Sequence, residues 1–289
     1  MSPQGTFSAL ASLRPFVTPI IKITQETPLT KSFVLSAPTI TPKAYPGQFL
    51  MVWIPGTDEI PMSIARIHKT QLEFAAAKVG EATTHLHELQ IGDLLGLRGP
   101  LGHGFLFPSK PKPKHLLLVA GGCGAPPILF AATVAIENGY SLDIILGATS
   151  KADLLYQNEF RKLRPENFLI ATDDGTAGHH GTSIDLLKIH LEKNKKYAAC
   201  FACGPEGMLV NLHETLKSQP IPLQVSLERY MKCGVGICGH CIIDTQGRRV
   251  CHEGPVFMAN TLEDTDFGRW TRDSSGKRQA SVDSASCPQ

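Results

Sequence analysis

The sequence predicts a β plus α/β fold in which an antiparallel barrel is followed by a Rossmann-like domain and a small C-terminal cysteine-rich subdomain. Three observations lead to this prediction. Short apolar runs broken by turn residues fill 14–109, buried runs alternate with helix-period stretches over 113–221, and four of the eight cysteines fall within 222–260. The length of 289 residues suits about two domains of common size.

The barrel is predicted from short strands rich in Val, Ile and Phe with Pro, Gly and Asp between them. A helix is expected at 82–89, introduced by Gly80. The predicted strands are residues 20–23, 31–36, 48–54, 63–67, 72–77 and 93–98.

The charged, proline-broken segment 110–114 predicts a domain boundary. The apolar runs after it are typical of parallel strands covered on both faces, and helical periods separate them. The expected strands are 115–120, 142–148, 168–171 and 198–202, and the expected helices are 127–138, 154–163, 183–192 and 206–218. Residues 261–289 are interpreted as an extension, docked around Phe267 and Trp270, that becomes a mobile Ser-rich tail from 272.

Charge and composition exclude two kinds of partner. The chain has 28 basic and 26 acidic side chains, whereas a nucleic-acid binder needs a strongly basic face. The uncharged run 116–136 is long enough to span a bilayer, but glycines and prolines interrupt it, so a strand, a turn and a buried helix explain it better. We therefore expect neither nucleic acid nor membrane as a partner.

The strongest chemical signal is the cysteine spacing. The N-terminus lacks a secretion signal, so the thiols are expected to be reduced in the cytoplasm, where clustered cysteines indicate metal or redox chemistry. Cys233, Cys238, Cys241 and Cys251 match the plant-type [2Fe-2S] spacing, which has three ligands in one loop and a fourth at a distance. The fourth is expected to return by a hairpin at 248–251. A structural zinc site is the alternative, although zinc ribbons favour two short paired knuckles. Cys200 is interpreted as a buried structural thiol.

Two glycine turns that end strands and begin helices predict sites for phosphate groups. They are Gly121–Gly122–Cys123–Gly124–Ala125 and Cys203–Gly204–Pro205, and Asp173 follows a third strand at the same sheet edge. In the barrel, Pro61–Met62–Ser63 enters a strand and 78–84 leads into a helix. Each motif also has an explanation without a ligand. The glycines of the first turn would allow close packing of helix and strand, and Thr83 would only cap the barrel helix.

Together these motifs resemble the ferredoxin-NADP reductase superfamily, and specifically the electron transfer subunits of FAD- and NAD-dependent dihydroorotate dehydrogenase. The similarity runs to about Arg278 and includes the motifs at 99–105, 171–175 and 228–257. It implies a 14–109 FAD-binding barrel, a 113–221 NAD-binding domain, a 222–260 cluster segment and a 261–289 extension.

The resemblance also implies roles for individual residues. It places Ser63 and Cys203 at the reacting edges of flavin and nicotinamide. The implied FAD contacts are Pro61, Met62, Ser63, Lys78, Val79, Gly80, Ala82 and Thr83. The implied NAD contacts are Gly121, Gly122, Gly124, Ala125, Asp173, Gly204 and Pro205. Many relatives have Arg where this chain has Ile60, and Lys78 is the candidate to replace that cation.

The resemblance implies a partner as well. In the family, an FMN-containing catalytic subunit oxidises dihydroorotate in pyrimidine biosynthesis, and this chain is too short to include that second barrel, so a heterotetramer with it is expected. Two alternatives remain open. One is the reductase subunit of a cytoplasmic hydrogenase or related NAD(P)H oxidoreductase, and the other is a nucleotide-binding module stapled by zinc.

Overall fold

A computed structural model describes residues 14–193 and 195–281. The first unit is a closed six-stranded antiparallel barrel with the order β1-β2-β5-β4-β3-β6. Its strands are β1 Phe16–Thr27, β2 Thr30–Ser36, β3 Phe49–Trp53, β4 Glu59–His68, β5 Gln71–Ala77 and β6 Leu94–Leu101, with helix α1 at Glu81–Glu88. The predicted barrel is confirmed, and its core includes the stacked rings of Phe33 and Phe74, whose centroids lie 5.4 Å apart.

Two barrel strands extend beyond their predicted bounds through prolines, which usually end a strand. β1 continues through Pro19 and β4 contains Pro61, which lies opposite Met51 in the register of β3 and β4. Register shifts interrupt β1 and β4 nearby, and proline is tolerated in strands at such irregular positions. The Pro61–Met62–Ser63 motif, which was predicted to enter a strand, therefore lies within β4.

The second unit is a seven-stranded sheet with the order β10-β9-β8-β7-β11-β12-β15. All neighbours in it are parallel except β12 and β15, so the predicted Rossmann-like unit is confirmed. Its strands are β7 His115–Gly121, β8 Ser141–Ala148, β9 Asn167–Thr172, β10 His179–His180, β11 Ala199–Cys203, β12 Leu223–Ser226 and β15 Val256–Met258. Its helices are α2 Ala125–Glu137, α3 Gln157–Lys162, α4 Ser183–Leu191 and α5 Glu206–Leu216.

The cysteine segment is inserted into this sheet. Strands β12 and β15 lie beyond the predicted limit at 221 and enclose the cysteines between them. Both are short, at four and three residues, so no periodicity revealed them. Between them lie β13 Ile242–Ile243, β14 Arg248–Arg249 and helix α6 Val250–Glu253.

The C-terminal extension also differs from the prediction. Strands β16 Trp270–Arg272 and β17 Arg278–Ala280 form a hairpin where the mobile tail was expected to begin, and Arg278 lies over the Trp270 ring. The remainder of the predicted tail, 282–289, lies outside the described residues.

No helix among the described residues is both long enough and apolar enough to cross a membrane.

A close approach of backbones joins the barrel to the cysteine segment. Gly102 has a φ of +71°, and a Cβ there would lie 2.6 Å from the Gly254 carbonyl oxygen. The neighbouring His103 N–H donates to the same oxygen at 2.6 Å. Glycine at 102 therefore lets the loop after β6 rest directly on the chain that leads to β15.

A buried carboxylate stabilises the end of the sheet at which the parallel strands begin, opposite the end that carries the glycine turns. Asp143 is fully buried and accepts hydrogen bonds from Tyr197 at 2.7 Å and Asn167 at 2.9 Å, while His190 Nε2 lies 2.9 Å away. Burial raises the pKa of Asp143, but its polar contacts with His115, Tyr197, Asn167 and His190 outweigh burial and hold that pKa well below its usual range.

We expect Asp143→Asn to lower the free energy of unfolding by about 3 kcal/mol at pH 7, because it removes the buried carboxylate to which Tyr197, Asn167 and Lys195 donate. Because the folded-state pKa is depressed, this contribution is complete above about pH 4 and is lost progressively as the pH falls from there through the folded-state pKa. Urea unfolding at pH 7 measures it, with exposed Asp264→Asn as control. Equal stability of the two variants at pH 7 would contradict the assignment.

Candidate metal centre and cofactor cavity

The four predicted ligand cysteines lie in one loop and in helix α6. Left-handed backbone at Gly234, Gly236 and Gly239, with φ of +69°, +78° and +71°, lets the loop fold tightly enough to turn its N–H groups inward. The Gly236 N–H donates to Cys251 Sγ at 3.2 Å, and the Ile237 N–H donates to Cys233 Sγ at 3.4 Å. The loop thus presents backbone donors to sulfur, as an anionic centre requires.

The sulfurs form two pairs. Cys233 interacts with the Cys238 side chain, and Cys241 interacts with the Cys251 side chain. Among the described residues, no three cysteine sulfurs lie within 4.8 Å of one another. A single zinc ion with Zn–S bonds of about 2.3 Å would bring all four sulfurs to about 3.8 Å apart. Two separate pairs are the arrangement expected when each iron of a [2Fe-2S] cluster takes two cysteines.

The loop favours negative charge on one sulfur of each pair. Burial raises the pKa of Cys233, but backbone N–H donors in the loop outweigh it and lower the pKa to about 6. The hydrogen bond with Cys251 lowers the pKa of Cys241 to about 7 and raises that of Cys251. Thiolates are the metal-binding form of cysteine, so the residues present suit an iron-sulfur group.

The hairpin prediction for the fourth ligand was partly wrong. The returning strand β14 contains only Arg248–Arg249, and Cys251 lies in helix α6. Arg249 forms an ion pair with Glu253 within this turn and donates to the Gly236 carbonyl at 2.7 Å. This contact ties the fourth ligand's helix to the loop of the other three.

A cavity of about 800 Å³ lies beside the cysteine loop, between the barrel and the sheet. One wall comes from β4, the end of β5 and the first turn of α1, and the opposite wall comes from residues 226–232. The last residue of this wall, Lys232, directly precedes Cys233, so the cavity and the cysteine loop adjoin each other. Ser274, in the turn of the β16–β17 hairpin, also lines the cavity.

Most of the residues predicted to contact FAD line this cavity. They are Pro61, Met62, Ser63, Val79, Gly80, Ala82 and Thr83, together with Ile60. Lys78 is absent from the lining, so its predicted role in replacing an arginine cation gains no support from its position. The Thr83 hydroxyl accepts from the Val79 and Gly80 N–H groups at 3.0 and 2.9 Å, which fixes the loop at the start of α1.

The two glycine turns pack against each other at the carboxyl ends of neighbouring strands β7 and β11. A Cβ on Gly124 would lie 2.0 Å from the Cys203 carbonyl oxygen, and a Cβ on Gly204 would lie 3.1 Å from Gly121 Cα. Gly122 has a φ of +49°, and no atom of the described residues lies within 4 Å of its Cβ position. Asp173 is exposed beyond β9, two strands away from the Gly121 turn.

Cys203 is buried behind the cavity wall and does not line the cavity. Burial raises the pKa of its thiol, and its side chain interacts with Ser226 and Glu228, which do line the cavity. The predicted position of Cys203 at a nicotinamide therefore depends on the wall at 226–228 moving or on the nucleotide reaching the strand end.

Glu228 is a site residue that sequence reasoning missed as a functional group. It lines the cavity, and burial raises the pKa of its carboxyl from 4.5 to about 7, although neighbouring Arg229 lowers it. Its sequence signal was its place as the first residue of the motif 228–257, where the carboxylate is followed directly by Arg229. Arg229 forms a buried ion pair with Glu206 at the start of α5, which connects the cavity wall to the second glycine turn.

We expect Glu228→Gln to stabilise the protein at alkaline pH. Between about pH 4.5 and 7 the folded state binds more protons at Glu228 than the unfolded state, so this residue lowers stability as the pH rises. At pH 8 the variant should be more stable by about 1–2 kcal/mol, allowing for partial exposure, and at pH 4 the difference should vanish. Urea unfolding at both pH values tests this, with exposed Glu81→Gln on the opposite wall as control.

Comparison with known proteins gives the family. Residues 228–263 match the iron-sulfur cluster binding domain of dihydroorotate dehydrogenase B. A protein of Methanocaldococcus jannaschii named "Probable dihydroorotate dehydrogenase B (NAD(+)), electron transfer subunit" is 40% identical over 266 residues, covering 92% of this chain and 98% of the relative. A protein of the same name from Methanothermobacter thermautotrophicus is 39% identical over 267 residues, covering 91% and 97%.

Solved structures agree with the fold. An NADH-dependent reduced ferredoxin-NADP oxidoreductase superposes with a TM-score of 0.76 at 25% identity, covering 86% of this chain and 90% of that one. A phthalate dioxygenase reductase superposes with a TM-score of 0.60 at 18% identity, covering 78% and 70%, and this likeness shows the fold alone. From its identity with the curated relatives over nearly their whole length, the chain belongs to the family of dihydroorotate dehydrogenase B (NAD+) electron transfer subunits.

Proposed function

We propose that this protein passes electrons from an FMN-containing dihydroorotate dehydrogenase subunit, by way of a [2Fe-2S] cluster and FAD, to NAD+. The observation that carries the proposal is the continuity of cavity and cysteine loop. Met231 and Lys232 line the cavity and Cys233 follows them in the chain. Groups bound at the two sites are thereby held close together, as electron transfer between them requires.

The residues available match each cofactor in kind. Four paired cysteines suit the cluster, the cavity between barrel and sheet suits FAD, and the glycine turns after β7 and β11 suit a dinucleotide phosphate at helix N-termini. When bound, the flavin would exchange the hydride pair of a nicotinamide for single electrons, which the cluster can carry.

The protein's own groups supply position, donors and a proton site. The Thr83 hydroxyl fixes the loop at the start of α1, and the residues of the first helical turn, whose N–H groups have no acceptor within the helix, line the cavity. The raised pKa of Glu228 lets its carboxyl hold or release a proton near neutral pH beside the cavity. Inward N–H groups of the cysteine loop stabilise charge on sulfur.

We propose that the catalytic partner docks on the tip of the cysteine loop. Ile237 is 81% exposed, and its neighbour Cys238 is the exposed member of the four cysteines. An exposed apolar side chain beside a metal ligand suits a protein surface that brings a second redox centre close. In the family resemblance that partner is the FMN-containing subunit, assembled as a heterotetramer.

Ile237→Arg is expected to weaken the complex with the FMN-containing subunit at least about tenfold, because a charge would be buried at the centre of the contact. Its flavin and iron content should be unchanged. Titration of the two subunits by calorimetry measures the loss. Ile91→Arg, at a position 65% exposed in the barrel, is the control and should bind normally. Equal affinities of the two variants would exclude this docking surface.

Reconstitution tests the function itself. The two subunits are mixed without oxygen, dihydroorotate and NAD+ are added, and absorbance at the NADH wavelength is followed. NADH should form only when both subunits are present. A chain that contains flavin and cluster but yields no NADH with this partner would favour the alternative of a reductase subunit for another oxidoreductase.

That alternative has one observation in its favour, the TM-score of 0.76 to an NADH-dependent reduced ferredoxin-NADP oxidoreductase. The zinc-stapled module is less well supported, because the cysteine sulfurs form two pairs and do not converge on one point.

A further inference from the structure

A buried arginine of the barrel contacts the cysteine loop. Arg98 lies in β6 and its side chain is 9% exposed. Its Nη2 donates to the Cys233 carbonyl oxygen at 2.9 Å, a contact between residues 135 positions apart in the sequence. An arginine remains charged at every accessible pH, so this contact places a permanent cation against the first ligand residue of the loop.

The same guanidinium forms a bidentate ion pair with Glu59. Nε donates to one carboxylate oxygen at 2.9 Å and Nη2 donates to the other at 2.6 Å. Glu59 begins β4 and lines the cavity. The ion pair therefore lies between the cavity and the cysteine loop, with its cation on the side of the loop.

The neighbouring strand supports the same part of the loop. Met51 of β3 lies opposite Arg98 in the register and is fully buried. A Cβ on Gly234 would lie 2.7 Å from Met51 Cγ. The start of the cysteine loop thus contacts the barrel at two residues: Cys233 contacts the Arg98 guanidinium, and Gly234 contacts the Met51 side chain.

We propose that Arg98 is a positioning residue that holds Cys233 on the barrel and raises the reduction potential of the cluster. The inference rests on the proposed function, because it requires a [2Fe-2S] cluster at the four cysteines. Reduction adds one electron to the cluster, and a nearby cation that is shielded from water stabilises this extra negative charge. Glu59 opposes the effect from a greater distance, across the guanidinium.

Three variants separate charge from structure. Arg98→Gln removes the cation, Glu59→Gln removes the opposing anion while keeping an acceptor for Arg98, and Arg98→Lys keeps the charge but loses the fork that reaches two partners. The cluster potential is measured on the flavin-loaded protein by redox titration followed by electron paramagnetic resonance, and the melting temperature is measured in parallel.

Arg98→Gln should shift the ratio of reduced to oxidised cluster, at the wild-type midpoint, about tenfold toward the oxidised form, which is about 59 mV for one electron. Glu59→Gln should shift it in the opposite direction, and Arg98→Lys should recover most of the wild-type value. A merely structural role would move both glutamine variants in the same direction, because both break the ion pair.

Shifts of the same sign, or an unchanged potential in both glutamine variants, would overturn the inference while leaving the proposed function intact. If Arg98→Gln does not fold, the other two variants still test the inference. Glu59→Gln must shift the cluster toward the reduced form, and Arg98→Lys must keep a reduction potential close to the wild-type value. A wild-type protein without iron would overturn the proposed function and this inference together.

Discussion

Cys238→Ala is expected to remove the iron-sulfur cluster while leaving the fold and the flavin in place. Cys238 is the exposed member of the four predicted ligands, so truncating it costs little packing. It also pairs with Cys233, so its loss leaves one iron with a single cysteine. Iron should fall from about two per chain to nearly none, and electron delivery between NADH and the partner should fall at least about 100-fold.

The matched control is Cys200→Ala, which removes a thiol that is fully buried in β11 and away from the loop. It should lower stability by about 1 kcal/mol and keep the iron. Iron and flavin analysis with visible spectra compares the two variants. A Cys238→Ala protein that retains a full iron content and spectrum would show that Cys238 is not a ligand.

Gly122→Ala is expected to raise the KM for NADH at least about tenfold with little loss of flavin or iron. Gly122 follows β7 at the start of the first glycine turn, and no atom of residues 14–193 or 195–281 lies within 4 Å of its Cβ position. Within the described part of the chain an added methyl group therefore meets no atom, and it occupies space where the resemblance places the pyrophosphate. Close approach of backbone N–H groups to phosphate is what glycine permits there.

Gly56→Ala controls for backbone strain, because Gly56 also has a positive φ, +80°, and no described residue places an atom within 4 Å of its Cβ position. Both variants should lose about 1 kcal/mol of stability, and only Gly122→Ala should bind NADH poorly. Steady-state kinetics with an artificial electron acceptor gives both KM values. An unchanged KM for Gly122→Ala would remove this turn from the nucleotide site.

The sequence predicted the parts of the site that local spacing determines. Four ligands within nineteen residues, with three glycines between Cys233 and Cys241, define a tight loop before any tertiary contact is known. The same reasoning did not predict that Cys251 lies in a helix, because α6 has only four residues and depends on the contacts of Arg249 for its position.

Contacts between distant segments could not be predicted. Nothing in the sequence around Arg98 indicates that its side chain reaches Cys233, and Glu228 lines the cavity because the fold brings 226–232 to the side opposite β4. Lys78 was expected to serve the flavin site from its place in the motif, yet its neighbours line the cavity and it does not. Sequence order placed these groups near the site, and the fold determined which of them face it.

Anaerobic addition of NADH, followed by electron paramagnetic resonance and visible spectroscopy, shows whether electrons pass from the nucleotide through the flavin to the cluster. We expect about one flavin and two irons per chain, bleaching of the flavin, and a rhombic signal from a reduced [2Fe-2S] cluster, all without the partner subunit. A colourless protein that contains zinc, or a flavin that NADH bleaches while the cluster stays oxidised and silent, would contradict it.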